Sequence, residues 1–227
     1  VSVIIPTFNR CNILPRAIDS ALSQTFPDIE VIVVDNGSTD DTPSMIKTKY
    51  PQIRFFIESR RGVSAARNRG ILNVNGNWIA LLDSDDEWLP EKLEKQISFS
   101  KRDPITRFIH TNEVWYRDGK ILNQKKKHEK KGGHLFIDSL KSCCISPSSA
   151  LIKRSVFEDI GNFDEQLQVC EDYDFWLRVA AKEKVSFIDE VLTIKHGGHQ
   201  DQLSKKYWGL DLFRIQSLEK IISFITY

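Results

Sequence analysis

Three carboxylates, Asp83, Asp85 and Asp86, crowd into four positions at the end of the apolar run Trp78-Ile79-Ala80-Leu81-Leu82. Like charges that close repel one another unless a cation neutralises them. Hard divalent cations favour carboxylate oxygens, and magnesium typically takes one or two protein carboxylates together with substrate phosphates. The cluster therefore suits a metal–diphosphate site. It also suits a helix start, with Asp86 as the N-cap ahead of Pro90-Glu91, because acidic residues favour a first helical turn. A second acidic pair, Glu171-Asp172, opens a segment in which Asp172, Phe175, Trp176 and Val179 recur at helical spacing. Asp172 thus stands where a buried stripe begins, and partial desolvation there would raise a carboxyl pKa as a general base needs. A capping role is the alternative. His196 and His199 flank a Gly-Gly turn, and an imidazole there could meet a metal or a phosphate, His199 being the stronger candidate.

The elements that must position these groups follow from the apolar pattern. Continuous apolar runs predict strands over 1–6, 29–34, 53–57 and 78–82, and helical spacing predicts helices near 13–22, 42–50 and 64–73, with another opened by Pro90-Glu91. Alternation of this kind implies parallel strands with crossover helices. Ligands of such sheets bind beyond the carboxyl ends of the strands. Those ends carry Pro6-Thr7-Phe8-Asn9-Arg10, Asp35, Arg60-Arg61-Gly62, and Asp83 with Asp85. Beyond residue 106 the pattern is mixed: a hairpin around 117–119, a strand over 148–153, a helix over 172–182, two short strands within 185–196 and a terminal helix over 208–224. The basic run from Lys125 to Lys131 reads as a solvated loop, with a peripheral membrane contact as the alternative.

The chain has 227 residues, 41% apolar and 28% charged, with a net charge of +1. That balance supports a packed core and gives no reason to expect nucleic acid. Four cysteines lack metal-ligand spacing, which points to reduced, buried thiols and a cytoplasmic setting. No stretch approaches the ~20 apolar residues of a membrane span. A G-x-G-x-x-G after a strand and a Gly-rich loop ending in Gly-Lys-Ser/Thr are both missing, so any phosphates must be held by metal and arginine.

Val3-Ile4-Ile5-Pro6-Thr7-Phe8-Asn9-Arg10, Val33-Val34-Asp35-Asn36-Gly37-Ser38-Thr39-Asp40, Gly62-Val63-Ser64-Ala65-Ala66-Arg67-Asn68, Leu82-Asp83-Ser84-Asp85-Asp86 and Glu171-Asp172 together resemble family 2 glycosyltransferases, in the expected order. The resemblance implies an α/β GT-A fold: a mostly parallel central sheet flanked by helices, with a nucleotide-sugar half over 1–105 and an acceptor-binding half over 106–227. It implies inverting, metal-dependent transfer of a sugar, from a UDP-sugar to a hydroxyl of a glycan or lipid-linked glycan, in building envelope polysaccharide. Thr7 and Asp35 match positions that hold the uridine, with Pro6 and Asn9 beside them. Arg67 matches a basic residue near the nucleotide. Asp83-Ser84-Asp85 matches the DxD motif, Asp83 and Ser84 on the nucleotide sugar and Asp85 on Mg²⁺ or Mn²⁺. Asp172 matches the catalytic base and Glu171 stands beside the acceptor. Asn36 departs from the pattern, since an aspartate is frequent after Asp35; this leaves uracil and thymine both open. Two other functions fit a fold of this kind: a non-catalytic nucleotide-sugar-binding module, and a nucleotidyltransferase.

Overall fold

The computed structural model describes residues 1–117, 119–122, 129–198 and 209–226. The first half builds β1 (Ser2–Thr7), α1 (Leu14–Leu22), β2 (Glu30–Asp35), α2 (Thr42–Lys49), β3 (Arg54–Ile57), α3 (Val63–Ile71) and β4 (Trp78–Leu81). Every residue of β1 is buried, as a central parallel strand covered on both faces requires. Val3 and Ile5 pack with α1, while Ile4 and its neighbours Ile32 and Val34 pack on the opposite face with Ala66 of α3.

The second half supplies β5 (Glu87–Trp88), α4 (Lys92–Arg102), β6 (Phe108–Arg117), β7 (Lys120–Leu122), α5 (Phe136–Lys141), a 3-10 turn (Pro147–Ser149), β8 (Leu151–Lys153), α6 (Arg154–Ile160), α7 (Glu171–Lys182), β9 (Ser186–Gly197) and α8 (Leu210–Thr226). Among the described residues the nine strands form one sheet, ordered β3-β2-β1-β4-β8-β6-β9-β5, with β7 on β6. The strands β1 to β4 are mutually parallel. β8 then reverses direction against β4 and β6, and β9 runs parallel to β6. The expected α/β architecture holds, with its mixed region beyond β4.

Local expectations change in three places. Residues 148–150 leave the predicted strand because Pro147–Ser149 folds as a 3-10 turn, so β8 is shorter. The two strands expected within 185–196 are a single β9, interrupted by register shifts at Thr111, Asn112 and Glu113 of its partner. Helix α4 starts at Lys92 after Glu91 with no side-chain cap; Asp86 caps nothing there. β5, α5 and α6 are too short to leave a periodic signature. The glycine pair ending the basic run has a steric cause. A Cβ on Gly132 would lie 3.0 Å from the Val185 carbonyl oxygen, and Gly133, bridged to Val185, has φ +107°.

Candidate active site

The chain proceeds outward from β1 to β2 and β3, then returns to the other side of β1 as β4. This reversal opens a crevice at the carboxyl ends of β1 and β4, the favoured ligand position of an open parallel sheet. The β1–β4 ladder closes with the Leu82 N–H donating to the Ile4 carbonyl at 3.0 Å. Pro6 lies past that last bond, so its missing N–H removes nothing from the sheet. Thr7 follows, its carbonyl accepting from the Asn36 N–H at 2.8 Å. Its hydroxyl is buried and, among the described residues, has no hydrogen-bond partner. A buried unsatisfied hydroxyl is uncommon and asks for a ligand or an ordered water.

Asp35, in register with Thr7, is buried and accepts from the Ser38 N–H at 3.0 Å and from the Ser38 hydroxyl. Asn9 takes a left-handed conformation (φ +53°) and braces the same loop: its backbone N–H donates to Ser38 Oγ at 2.7 Å, and its Oδ1 accepts from the Thr39 N–H at 2.8 Å. The Asn36 amide donates to the carbonyls of Glu58 and Arg60 at 3.1 and 2.7 Å and accepts from the Gly62 N–H at 2.8 Å. An ionised aspartate could not make the two donations, which gives a structural reason for asparagine at this position. Arg60, offered by the sequence as a phosphate ligand, is paired with Glu58 and Glu165.

Arg67 joins the two acidic motifs. It is 3% exposed, and its guanidinium donates to Glu171 at 2.6 Å and to Asp83 at 2.8 Å, with the Phe163 ring 5.2 Å beneath. Burial opposes its charge, but Asp83 and Glu171 outweigh burial and hold its pKa above the ordinary range. Burial likewise pushes the Glu171 carboxyl up to about 7, against the pull of Arg67 and with the push of Asp172. Of the pair Glu171-Asp172 the desolvated carboxylate is therefore Glu171, and Asp172 is half-buried. Asp172 Oδ1 accepts from the Tyr173 N–H at 2.7 Å, and its Oδ2 lies 3.8 Å from the Cys143 thiol. Behind it Phe175, Trp176 and Val179 are fully buried, as the spacing predicted. Cys143 is exposed, against the expectation of a buried thiol.

The acidic loop divides its carboxylates. Asp83 keeps one oxygen off Arg67, and Ser84 beside it is buried. Asp85 lies 3.6 Å from Arg10, and its carbonyl accepts from Arg16 of α1 at 2.5 Å. Asp86 turns inward: it accepts from the Ser148 hydroxyl at 2.6 Å and pairs with Lys195 at 3.3 Å. Burial pushes the Asp86 carboxyl up to about 7, against the pull of Lys195. Burial lowers and Asp86 and Glu113 raise the Lys195 pKa, with a net rise. Among the described residues no group of three or more His, Cys, Asp or Glu is arranged to hold a metal. Asp85 and the remaining Asp83 oxygen are still hard donors of the kind a divalent ion takes when phosphates complete its shell.

Residues 143–149 tie these groups together. Cys143 touches Asp172, Ser146 donates to Glu113, and the Ser148 hydroxyl accepts from the Asp83 N–H at 3.1 Å while donating to Asp86. Arg16, Lys195 and Ser148 were not singled out by the sequence. Each acts through a partner far along the chain, and no local spacing signals that. His199 lies outside the described residues, as do 125–128 of the basic run. His196 pairs with Glu87 at 3.1 Å and stacks on Tyr116. Lys130 is paired with buried Glu113 and is itself withdrawn from water, so it is not the solvated charge expected of the basic run, whereas Lys131, paired with Asp138, is exposed as expected. Among the described residues no helix is long and apolar enough to cross a membrane.

The fold is that of the GT-A glycosyltransferases. It superposes on S. aureus TarS 1-349 in complex with UDP-GlcNAc with a TM-score of 0.75, covering 93% of this chain and 62% of that one at 20% identity. It superposes on the mannosyltransferase PcManGT from Pyrobaculum calidifontis, in complex with GDP-Man and Mn²⁺, with a TM-score of 0.68, covering 96% and 61% at 20% identity. The model of Glycosyl transferase family 2 matches residues 2–161, and the chain belongs to that family. An uncharacterized glycosyltransferase of Rickettsia bellii is 33% identical over 218 residues, 91% of this chain. The chain spans 35%, 31% and 65% of the lengths of three such Rickettsia relatives.

Proposed function

We propose that this chain transfers a sugar from a UDP-sugar to a hydroxyl of a glycan or lipid-linked glycan acceptor, inverting the anomeric carbon. One observation carries the reading: Arg67 links Asp83 of the acidic loop to Glu171, next to Asp172, through a single buried guanidinium. A donor end and an acceptor end are thereby held against each other. Family membership and the UDP-GlcNAc complex of the TarS neighbour support the same chemistry.

In this reading residues 1–105 hold the donor and residues 106–227 the acceptor. Pro6, Thr7, Asn9 and Asp35 form the nucleoside end, where the Thr7 hydroxyl and the Asp35 carboxylate receive the base and ribose. Asp83 and Ser84 face the donor sugar, and Arg67 fixes Asp83. Glu171 is set beside the acceptor hydroxyl. The carboxylate of Asp172 takes the proton from that hydroxyl as its oxygen bonds to the anomeric carbon. The bond from that carbon to the diphosphate breaks with its electron pair leaving on oxygen, and a single displacement inverts the centre. No covalent sugar–protein intermediate is required, so one carboxylate base suffices. Asp85 would hold Mg²⁺ or Mn²⁺, with His199 a second candidate, and the ion supplies charge neutralisation for the departing diphosphate. The Mn²⁺ complex of the PcManGT neighbour supports that assignment. Free thiols suit a reducing compartment, and we assign the reaction to the cytoplasm, at the inner face of the membrane for a lipid-linked acceptor.

Thermal unfolding with UDP, dTDP, GDP and CMP, each with and without Mn²⁺, tests the donor site. UDP or dTDP raises the melting temperature in a Mn²⁺-dependent way, and Asp85→Ala loses the response; no shift with any nucleotide overturns the reading. Asp172→Asn keeps the nucleotide response but lowers UDP release from UDP-glucose, UDP-galactose and UDP-N-acetylglucosamine about 10³-fold. An unchanged release rate would make the chain a binding module or give the base role to another residue.

A further inference from the structure

Strand β6 carries a second polar construction that the proposed transfer does not use. Glu113, Trp115 and Arg117 project on one face of β6, because side chains alternate along a strand. The Glu113 side chain is 0% exposed, and burying a carboxylate demands full compensation. Its compensation includes Lys130 at 3.2 Å, the Ser146 hydroxyl, the Trp115 indole N–H at 2.8 Å, and the nearby charge of Lys195. The Lys195 ammonium lies 5.4 Å from the centre of the Trp115 ring. The indole is thereby held at its N–H edge and over its face by groups that are themselves buried or paired. Yet Trp115 stays 36% exposed.

Position adds a second argument. Lys195 reaches from this ring to Asp86 of the acidic loop. Ser146, bound to Glu113, is three residues from Cys143, which touches Asp172. The ring is thus linked by the Lys195 side chain to the acidic loop, and through Glu113, Ser146 and the segment back to Cys143 to Asp172. A flat apolar surface immobilised at that place suits a molecule with one apolar face and a rim of hydroxyls. A pyranose has that form: its ring C–H bonds, polarised by adjacent oxygens, complement the negative face of an aromatic ring.

We infer that Trp115 is the floor of an acceptor subsite, on which a pyranose ring of the acceptor stacks while Glu113 and Lys195 hold the indole in place. This rests on the glycosyltransferase reading above. Trp115 is a substrate-contacting residue here, and Glu113 is a positioning residue.

Protein labelled with 5-fluorotryptophan provides the test, the Trp115 resonance being assigned by its loss in Trp115→Phe. With UDP present, the methyl α- and β-glycosides of glucose, galactose, N-acetylglucosamine and N-acetylgalactosamine are titrated in turn. The expected result is movement of the Trp115 resonance by at least one glycoside while the Trp78, Trp88 and Trp176 resonances stay in place. The concentration of that glycoside giving half-maximal stimulation of UDP release then rises about tenfold in Trp115→Ala and stays near the parent value in Trp115→Phe, which keeps an aromatic face. No movement with any glycoside overturns the subsite. So does movement caused by UDP alone and not enlarged by a glycoside, because the ring would then face the donor. An unchanged half-stimulating concentration in Trp115→Ala overturns it as well. Failure of UDP to raise the melting temperature is a separate result and strikes the donor site instead.

Discussion

The loops at the ends of β1 and β2 and the block around β6 and β9 both present buried polar groups, but they are built differently. At the first, Asp35, Ser38, Asn9 and Asn36 are joined mainly by hydrogen bonds with backbone groups of adjoining loops. At the second, Asp86, Lys195, Glu113 and Lys130 are charges removed from water and matched by partners distant in sequence. Loops held by hydrogen bonds to backbone groups lose one increment when a member is removed. A buried ion deprived of its partner loses far more, because an uncompensated charge stays behind. The nucleoside end is thus tolerant of local change, and the block that ties the acidic loop to the second half is not.

The largest effect should break the second region. Lys195→Met leaves Asp86 without its cation and should destabilise the unliganded protein by about 3–5 kcal/mol in urea unfolding. Asp86→Asn added to that variant should restore part of the loss, since no carboxylate is then left unpaired. If the double variant is no more stable than Lys195→Met alone, the pair is not what holds the loop.

A pH titration sharpens the contrast. His110 in β6 is fully buried, with Nε2 2.9 Å from the Lys131 carbonyl and its ring against Phe187. Burial lowers its pKa to about 4 from 6.5, so the unfolded chain binds the extra proton first. Stability contributed by the neutral ring is complete above pH 6.5 and is lost as the pH falls toward 4. His110→Gln, which keeps a donor for the Lys131 carbonyl, should flatten that acid limb by up to about 3 kcal/mol. An unaltered acid limb would show that the ring is not the titrating group.

The smallest effect belongs to the first region. Asp35→Asn retains one oxygen for the Ser38 N–H and should cost about 1 kcal/mol in the same unfolding assay. Its larger consequence should be a weaker response of the melting temperature to UDP. A loss as large as that of Lys195→Met would erase the distinction between the two regions.

The same distinction explains what could be read from the chain before folding. The strands β1 to β4 are continuous apolar runs whose polar ends must fall on one edge of a parallel sheet, so Thr7, Asp35, Asp83 and Asp85 were visible as a set. The stripe Phe175, Trp176, Val179 fixed the face of α7, and with it the place of Glu171-Asp172. Which of those two carboxylates is desolvated was not visible, because that depends on Arg67 arriving from α3. The capping alternative for Asp86 was equally consistent with local rules. It fails because Lys195 and Ser148 claim the side chain from the other half of the molecule. Ser148 itself was hidden inside a stretch that reads as strand.

Ser148 is fully buried, and it serves four partners at once. Its hydroxyl answers the Asp83 N–H and Asp86, and its carbonyl accepts from the Trp88 indole at 2.6 Å and from Thr193 at 3.2 Å. A hydroxyl that must both give and receive leaves threonine as the one standard alternative with a comparable group on Cβ. Descendants of this sequence are therefore free to diversify on the outer hairpin of β6 and β7, yet position 148 should resist drift. New preferences for acceptors would then arise around an unchanging joint.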